Sequence, residues 1–223
     1  MQEKIKKEDN KNNNNDILST FNNRYNTELS INSYFLDISQ KDLDNEGFQL
    51  FSELPLNLFE CVIELNLSQN CISDISPLIR INLSNLKKLN LSKNRIENID
   101  VFEKLNLNDL EDLNLSNNKL KNINSLAKLN LFNLANLNLS DNRINDITAL
   151  EFMNCPNLRS IDVFNNEILD ITVFERVSFP QLNQISCAGN FFNHEIIKNY
   201  DIISNLRKRG CNVNIYGTIK QIL

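Results

Sequence analysis

The sequence predicts an α/β solenoid: a curved parallel sheet on the concave side, short 3₁₀ or irregular segments on the convex side, and a helical cap at each end. Three observations predict it. Asparagine returns every 24 residues, at Asn70, Asn94, Asn118, Asn142, Asn166 and Asn190. Around each one, apolar residues fall at the same offsets with no insertion. Finally, the chain has only four Gly and four Pro, too few for a succession of tight hairpins.

The offsets define each element. Eight residues before each Asn stand Val62, Leu86, Leu110, Leu134, Leu158 and Leu182. Five and three before stand pairs such as Leu65/Leu67, Leu89/Leu91 and Ile161/Val163. Each pair brackets one polar residue, so a short strand buries one face. A single repeat cannot cover that face, and stacking repeats at roughly 4.8 Å builds a parallel sheet over a continuous core. The Asn stands where the chain turns away, and its amide both donates and accepts, so it can satisfy backbone groups left outside the ladder. The return leg carries Leu78, Phe102, Leu126, Leu150 and Phe174, without the periodicity of a long helix.

The pattern LxxLxLxxNxI is similar to that of the leucine-rich-repeat family. Its length and IxxIxxL continuation resemble the SDS22-like and bacterial internalin-type subclasses. The resemblance implies a protein-binding scaffold that uses the concave strand face, an adaptor or regulatory subunit and not an enzyme. A secreted or host-directed bacterial effector or adhesin of internalin type is the alternative.

Four regions follow from the pattern. Residues 1–30 form a polar low-complexity tail, disordered or weakly docked, in which Ile17, Leu18, Phe21 and Tyr25 suit an amphipathic helix. Residues 31–61 hold a degenerate first repeat, with Lys41 at the Asn position, and a cap helix started by Asp44 and stopped by Pro55. Residues 62–192 are the repeats. Residues 193–223 form a C-terminal cap, with Asn193 capping a helix that carries Ile196, Tyr200, Ile203 and Leu206, Gly210 stopping it, and Val213 and Ile215 closing as a strand. This segment is similar to the closing segment of bacterial-type leucine-rich-repeat proteins, with Phe191 in place of a Pro.

No catalytic constellation is expected. His194 is the single histidine and reads as a helix-end residue; the glycines are scattered singly, so there is no phosphate loop. Five cysteines without a CxxC pair suggest neither a disulfide framework nor a zinc site, and Cys155 and Cys187 read as small core residues. No metal and no cofactor is expected. A net charge of −5 disfavours nucleic acid, and no apolar run is long enough for a membrane span. The chain is expected to be monomeric and cytoplasmic, or nuclear. Four glycosylation sequons along the strands, beginning at Asn66, Asn90, Asn114 and Asn138, favour that location, since glycans there would cover the strand face.

The candidate partner-binding residues are Phe164, Arg95, Lys119, Arg143, Lys88, Asn114, Asn138 and Asp162. Arg95, Lys119 and Arg143 directly follow the repeat Asn in three consecutive repeats, forming a basic edge that either accepts an acidic protein or is simply solvated. Phe164 occupies a position held elsewhere by Ser68, Ser92, Ser116 and Ser140; it is either a binding hot spot or packs on Phe192 or the cap. Lys88 and Lys87 stand beside Glu64, Asp112 and Glu111 on neighbouring strands, an arrangement read first as pairing within the molecule. Asn66, Asn90, Asn114 and Asn138, followed by Asp162, form a further column expected to hydrogen-bond along itself.

Overall fold

A computed structural model describes residues 16–191 and 196–215, with the backbone alone for 196–200. One eight-stranded parallel sheet runs in chain order: β1 (Phe35–Asp37), β2 (Glu64–Asn66), β3 (Lys88–Asn90), β4 (Asp112–Asn114), β5 (Asn136–Asn138), β6 (Ser160–Asp162), β7 (Gln184–Ser186) and β8 (Asn212–Asn214). The register places Leu36, Leu65, Leu89, Leu113, Leu137, Ile161, Ile185 and Val213 side by side, and all of them are buried. A slip of one residue would turn this whole row to solvent, so the apolar pattern pins the pairing.

The return legs are 3₁₀ helices at Ser76–Arg80, Asp100–Lys104, Asn124–Lys128 and Thr148–Phe152; the next is a single α turn, α3 (Val173–Arg176). Their entry is chemically uniform. Asp74, Asn98, Asp146 and Asp170 each accept from the backbone N–H two residues on, at 2.5–2.8 Å. Leu78, Phe102, Leu126, Leu150 and Phe174 point inward and fill the space behind the sheet, as the spacing predicts.

Each repeat Asn is buried with its amide fully engaged. In Asn118, Oδ1 accepts from Ile96 N–H at 3.0 Å, while Nδ2 donates to the Leu91 and Leu115 carbonyls at 2.9 and 3.0 Å. The bonds reach backward, to the preceding repeat. That explains Lys41: the first repeat has no predecessor to serve. Lys41 and Leu43 instead offer their own N–H groups to Asn70 Oδ1, both at 3.0 Å.

Both ends of the core are covered. Helical residues 16–25 (α1) lie on α2 (Asn45–Ser52), with Leu18 and Phe21 buried and the Phe21 and Phe51 rings 5.8 Å apart. At the crossing a Cβ on Gly47 would stand 2.5 Å from the Tyr25 hydroxyl, so glycine lets the Tyr25 ring lie against α2 and a larger residue would displace it. The tail expected over 1–30 is therefore docked from residue 16 on, because α1 carries enough apolar surface to bury; residues 1–15 lie outside the described residues. Asp44 caps α2 by accepting from Gly47 N–H at 2.8 Å. At the other end α4 (Ile196–Lys208) buries Ile202, Ile203 and Leu206, the chain turns at Gly210 with φ +86°, and β8 closes the sheet. Phe192, Asn193, His194 and Glu195 lie outside the described residues.

Candidate functional site

The polar strand residues make up the exposed face of the sheet, and much of their charge is satisfied within it. Lys88 Nζ meets Glu64 Oε1 at 2.6 Å and Lys87 Nζ meets Glu111 Oε1 at 2.8 Å, both across neighbouring strands. Asn136 donates to Asp112 in the same way. Hydrogen bonding to its glutamate holds each lysine above the ordinary lysine range. Lys88, a candidate for partner contact, is thus first a cross-strand partner. The pairs stand open to solvent, which screens them, so they tie neighbouring strands together only weakly.

The outer Asn column does not bond along itself. Asn66, Asn90, Asn114 and Asn138 each turn Oδ1 to the N–H two residues on, at 3.0–3.1 Å, and Asp162 does the same for Phe164 at 2.9 Å. The reason is local: a side chain of this length reaches the i+2 N–H in an Asx turn more readily than the next strand's side chain. Since only oxygen can accept from a backbone N–H, the amide orientation is set, and Nδ2 is left facing outward.

The turn has a second signature. The residue before the repeat Asn is left-handed throughout, at Gln69, Lys93, Asn117, Asp141 and Asn165 with φ between 52° and 57°, and at Gly189 with φ 71°. Sequence reasoning passed over this position because its side chains share no chemistry, although three of the six are Asn or Gly, the residues that best tolerate that region.

Phe164 is exposed, at 37% of its surface, whereas Ser68, Ser92, Ser116 and Ser140 in the equivalent positions are buried. Its carbonyl accepts from Asp141 N–H at 2.8 Å, and Arg143 lies two residues beyond Asp141. Asp112, Asn114, Asn136, Asn138, Ser160, Asp162 and Gln184 line a polar depression of about 310 Å³ over β4–β7. Asn114, Asn138 and Asp162 are therefore brought together, with Phe164 joined to Asp162 through its backbone N–H. Arg95, Lys119 and Arg143 stack along the adjoining edge, each donating its backbone N–H to the preceding repeat at 2.8–2.9 Å. Lys119 lies 3.7 Å from Glu97; among the described residues Arg95 and Arg143 make no ion pair.

Further exposed aromatics lie outside the candidate set. Phe35, 62% exposed, sits in register with Glu64 on the same polar face, a position legible once Leu36 is aligned with Leu65. Phe132 and Phe152 are exposed away from the strands, Phe152 in a return-leg position that is basic at Arg80, Lys104, Lys128 and Arg176.

The two deeply buried cysteines are core residues. Burial pushes the Cys155 and Cys187 thiols up to about 12, where a thiolate does not form near neutrality. Among the described residues no three His, Cys, Asp or Glu side chains cluster as metal ligands, and no helix is long and apolar enough to cross a membrane.

Comparison with known proteins agrees with this architecture. A family model for leucine-rich repeats, in two copies, matches residues 62–104, 84–128 and 132–176, just over half of the chain. No curated protein sequence matches the chain. Among solved structures it is similar to an internalin, InlF, of Listeria monocytogenes, with 26% identity and a TM-score of 0.62 over 83% of this chain and 49% of that one. It is also similar to internalin C2 of the same species, with 22% identity and a TM-score of 0.55 over 90% and 92% of the two chains. A Leptospira interrogans leucine-rich-repeat protein gives 21% identity and a TM-score of 0.56 over 76% and 45%. The chain spans about half the length of the InlF chain. Repeat, sheet register and family model lead to one conclusion: the chain belongs to the leucine-rich-repeat family of protein-interaction scaffolds.

Proposed function

We propose that the chain is a non-enzymatic adaptor or regulatory subunit, acting in the cytoplasm or nucleus, that docks one partner protein on the concave face around Phe164. The observation that carries this reading is the exposed Phe164 ring two residues from Asp162, which lines the polar depression over β4–β7. An aromatic anchor rimmed by polar groups is the composition of an interaction hot spot. The outward Nδ2 groups of Asn66, Asn90, Asn114 and Asn138 support the location, because glycans on those sequons would stand on the docking face.

Pull-down from native lysate with mass spectrometry tests the site. The wild-type chain is expected to recover a partner that the Phe164→Ala/Arg143→Glu variant loses; equal recovery by both would refute the concave site. The second reading, a secreted or host-directed bacterial effector of internalin type, is favoured by the likeness to the two Listeria chains. Recovery of the protein from culture medium favours that reading; retention with the cells favours the adaptor.

A further inference from the structure

The edge beside Phe164 has an excess of hydrogen-bond donors that the overall charge of −5 conceals. Along this edge several acceptor atoms are used internally. The Asn90, Asn114 and Asn138 Oδ1 atoms are held by their own turns, leaving amide N–H groups outward. Asp141 is occupied on both oxygens, by Asn165 Nδ2 at 2.6 Å and Asn117 Nδ2 at 3.3 Å. Glu97 is drawn to Lys119 at 3.7 Å. Cations still outnumber carboxylates there, with Lys93, Arg95, Lys119, Lys121 and Arg143 against Glu97 and Asp141. Arg95 and Arg143 are exposed with no ion pair among the described residues, and Lys93 and Lys121 flank them in the same condition.

Resting on the concave-face reading, we infer that this edge takes a short acidic segment of the partner protein, extended along the solenoid axis, with an apolar residue at the end that meets Phe164. Charge complementarity fixes the sign. Stacked repeats hold the backbones of Arg95, Lys119 and Arg143 about 5 Å apart, and their long side chains can splay to reach carboxylates about 7 Å apart on one face of an extended chain. The length is fixed by the neighbours: Cys71 precedes Arg95 in the column and Glu167 follows Arg143, so the cationic strip covers three repeats. A polyphosphate running on past it would meet Glu167 and Asp162, whereas two or three carboxylates followed by an apolar side chain fit between. Phe164 stands at that end, joined to Asp141 through its carbonyl at 2.8 Å.

Fluorescence anisotropy with the full chain tests the inference, using a fluorescein-labelled oligoglutamate peptide ending in leucine, its oligoglutamine counterpart, and an oligothymidylate of equal charge. The glutamate peptide is expected to bind, to weaken as salt is raised, and to bind about tenfold or more weakly to the Arg95→Glu/Arg143→Glu variant. Arg209→Glu, on the exposed end of the C-terminal cap, should leave binding unchanged. Circular dichroism verifies that the double variant is folded, and the glutamine peptide and salt series probe the same charge dependence without any substitution. No binding, binding that tolerates the double reversal, or equal binding of the glutamine peptide would overturn the inference. Tighter binding of the oligothymidylate would overturn it in favour of a nucleic acid. If the glutamate peptide fails while pull-down still recovers a partner that the single Phe164→Ala variant loses, the acidic segment is wrong and the docking face stands.

Discussion

Two columns of asparagine climb the same sheet four residues apart, and they do different work. The inner column, Asn70 to Asn190, is buried and spends every polar atom on the backbone of its own and the preceding repeat. The outer column, Asn66 to Asn138, spends only its oxygen, on an Asx turn, and keeps its nitrogen for solvent or a partner. One residue type thus supplies both the frame and the face, and position in the strand and turn decides which. The inner amides hold repeats together where water cannot reach; the outer ones set a strand end and point a donor outward.

The largest expected effect breaks the inner column. Asn118→Leu removes the acceptor for Ile96 N–H and the donor for the Leu91 and Leu115 carbonyls, all in the buried turn. It should destabilise the fold by about 3 kcal/mol in urea denaturation, the cost of orphaned buried groups. A loss below about 1 kcal/mol would mean water replaces the amide and the column is not structural. Asn114→Ala in the outer column removes one Asx turn whose N–H, that of Ser116, remains near solvent. It should cost about 0.5–1 kcal/mol, a typical value for a capping side chain. The contrast between the two would be lost if both fell by the same amount.

The smallest effect concerns a side-chain bond between two return legs, outside both columns. Ser125, 1% exposed, donates to Asp100 at 2.5 Å, and Asn98 donates to the same carboxylate. These hydrogen bonds, Ser125 first, hold the Asp100 carboxyl below the ordinary value of 3.8. A depressed folded value gives stability that is complete above the unfolded pKa and lost as pH falls from about 3.8 through the folded one. Because the carboxylate is largely exposed, solvent screening leaves a few tenths of a kcal/mol. The gap in urea midpoint between wild type and Ser125→Ala should narrow as the solution is acidified through that range; a gap independent of pH would contradict the assignment.

The repeat architecture was legible in residue spacing because every repeat solves the same burial problem. Leu65, Leu89 and Leu113 must align for any of them to be covered, and six asparagines at one offset reveal the turn. Asn recurs beyond the six turn positions for the same geometric reason, since Asn and Asp also start the return legs and close the strand ends. The site was legible only in part. Phe164 and the Arg95–Arg143 edge stand out as departures from the repeat. The direction of the outer amides did not, because the choice between a neighbouring side chain and the i+2 N–H depends on backbone geometry that spacing does not encode. Phe35 was missed for another reason: in the degenerate first repeat, Lys41 replaces the Asn that sets the register.

Side-chain amide hydrogen exchange by NMR tests the contrast between the columns most directly. The Nδ2 protons of Asn94, Asn118, Asn142 and Asn166 should be strongly protected, while those of Asn66, Asn90, Asn114 and Asn138 in the same sample exchange at close to the rate of free asparagine. Equal protection in both columns would contradict the account, because the outer nitrogens would then be bound within the fold and unavailable to a partner.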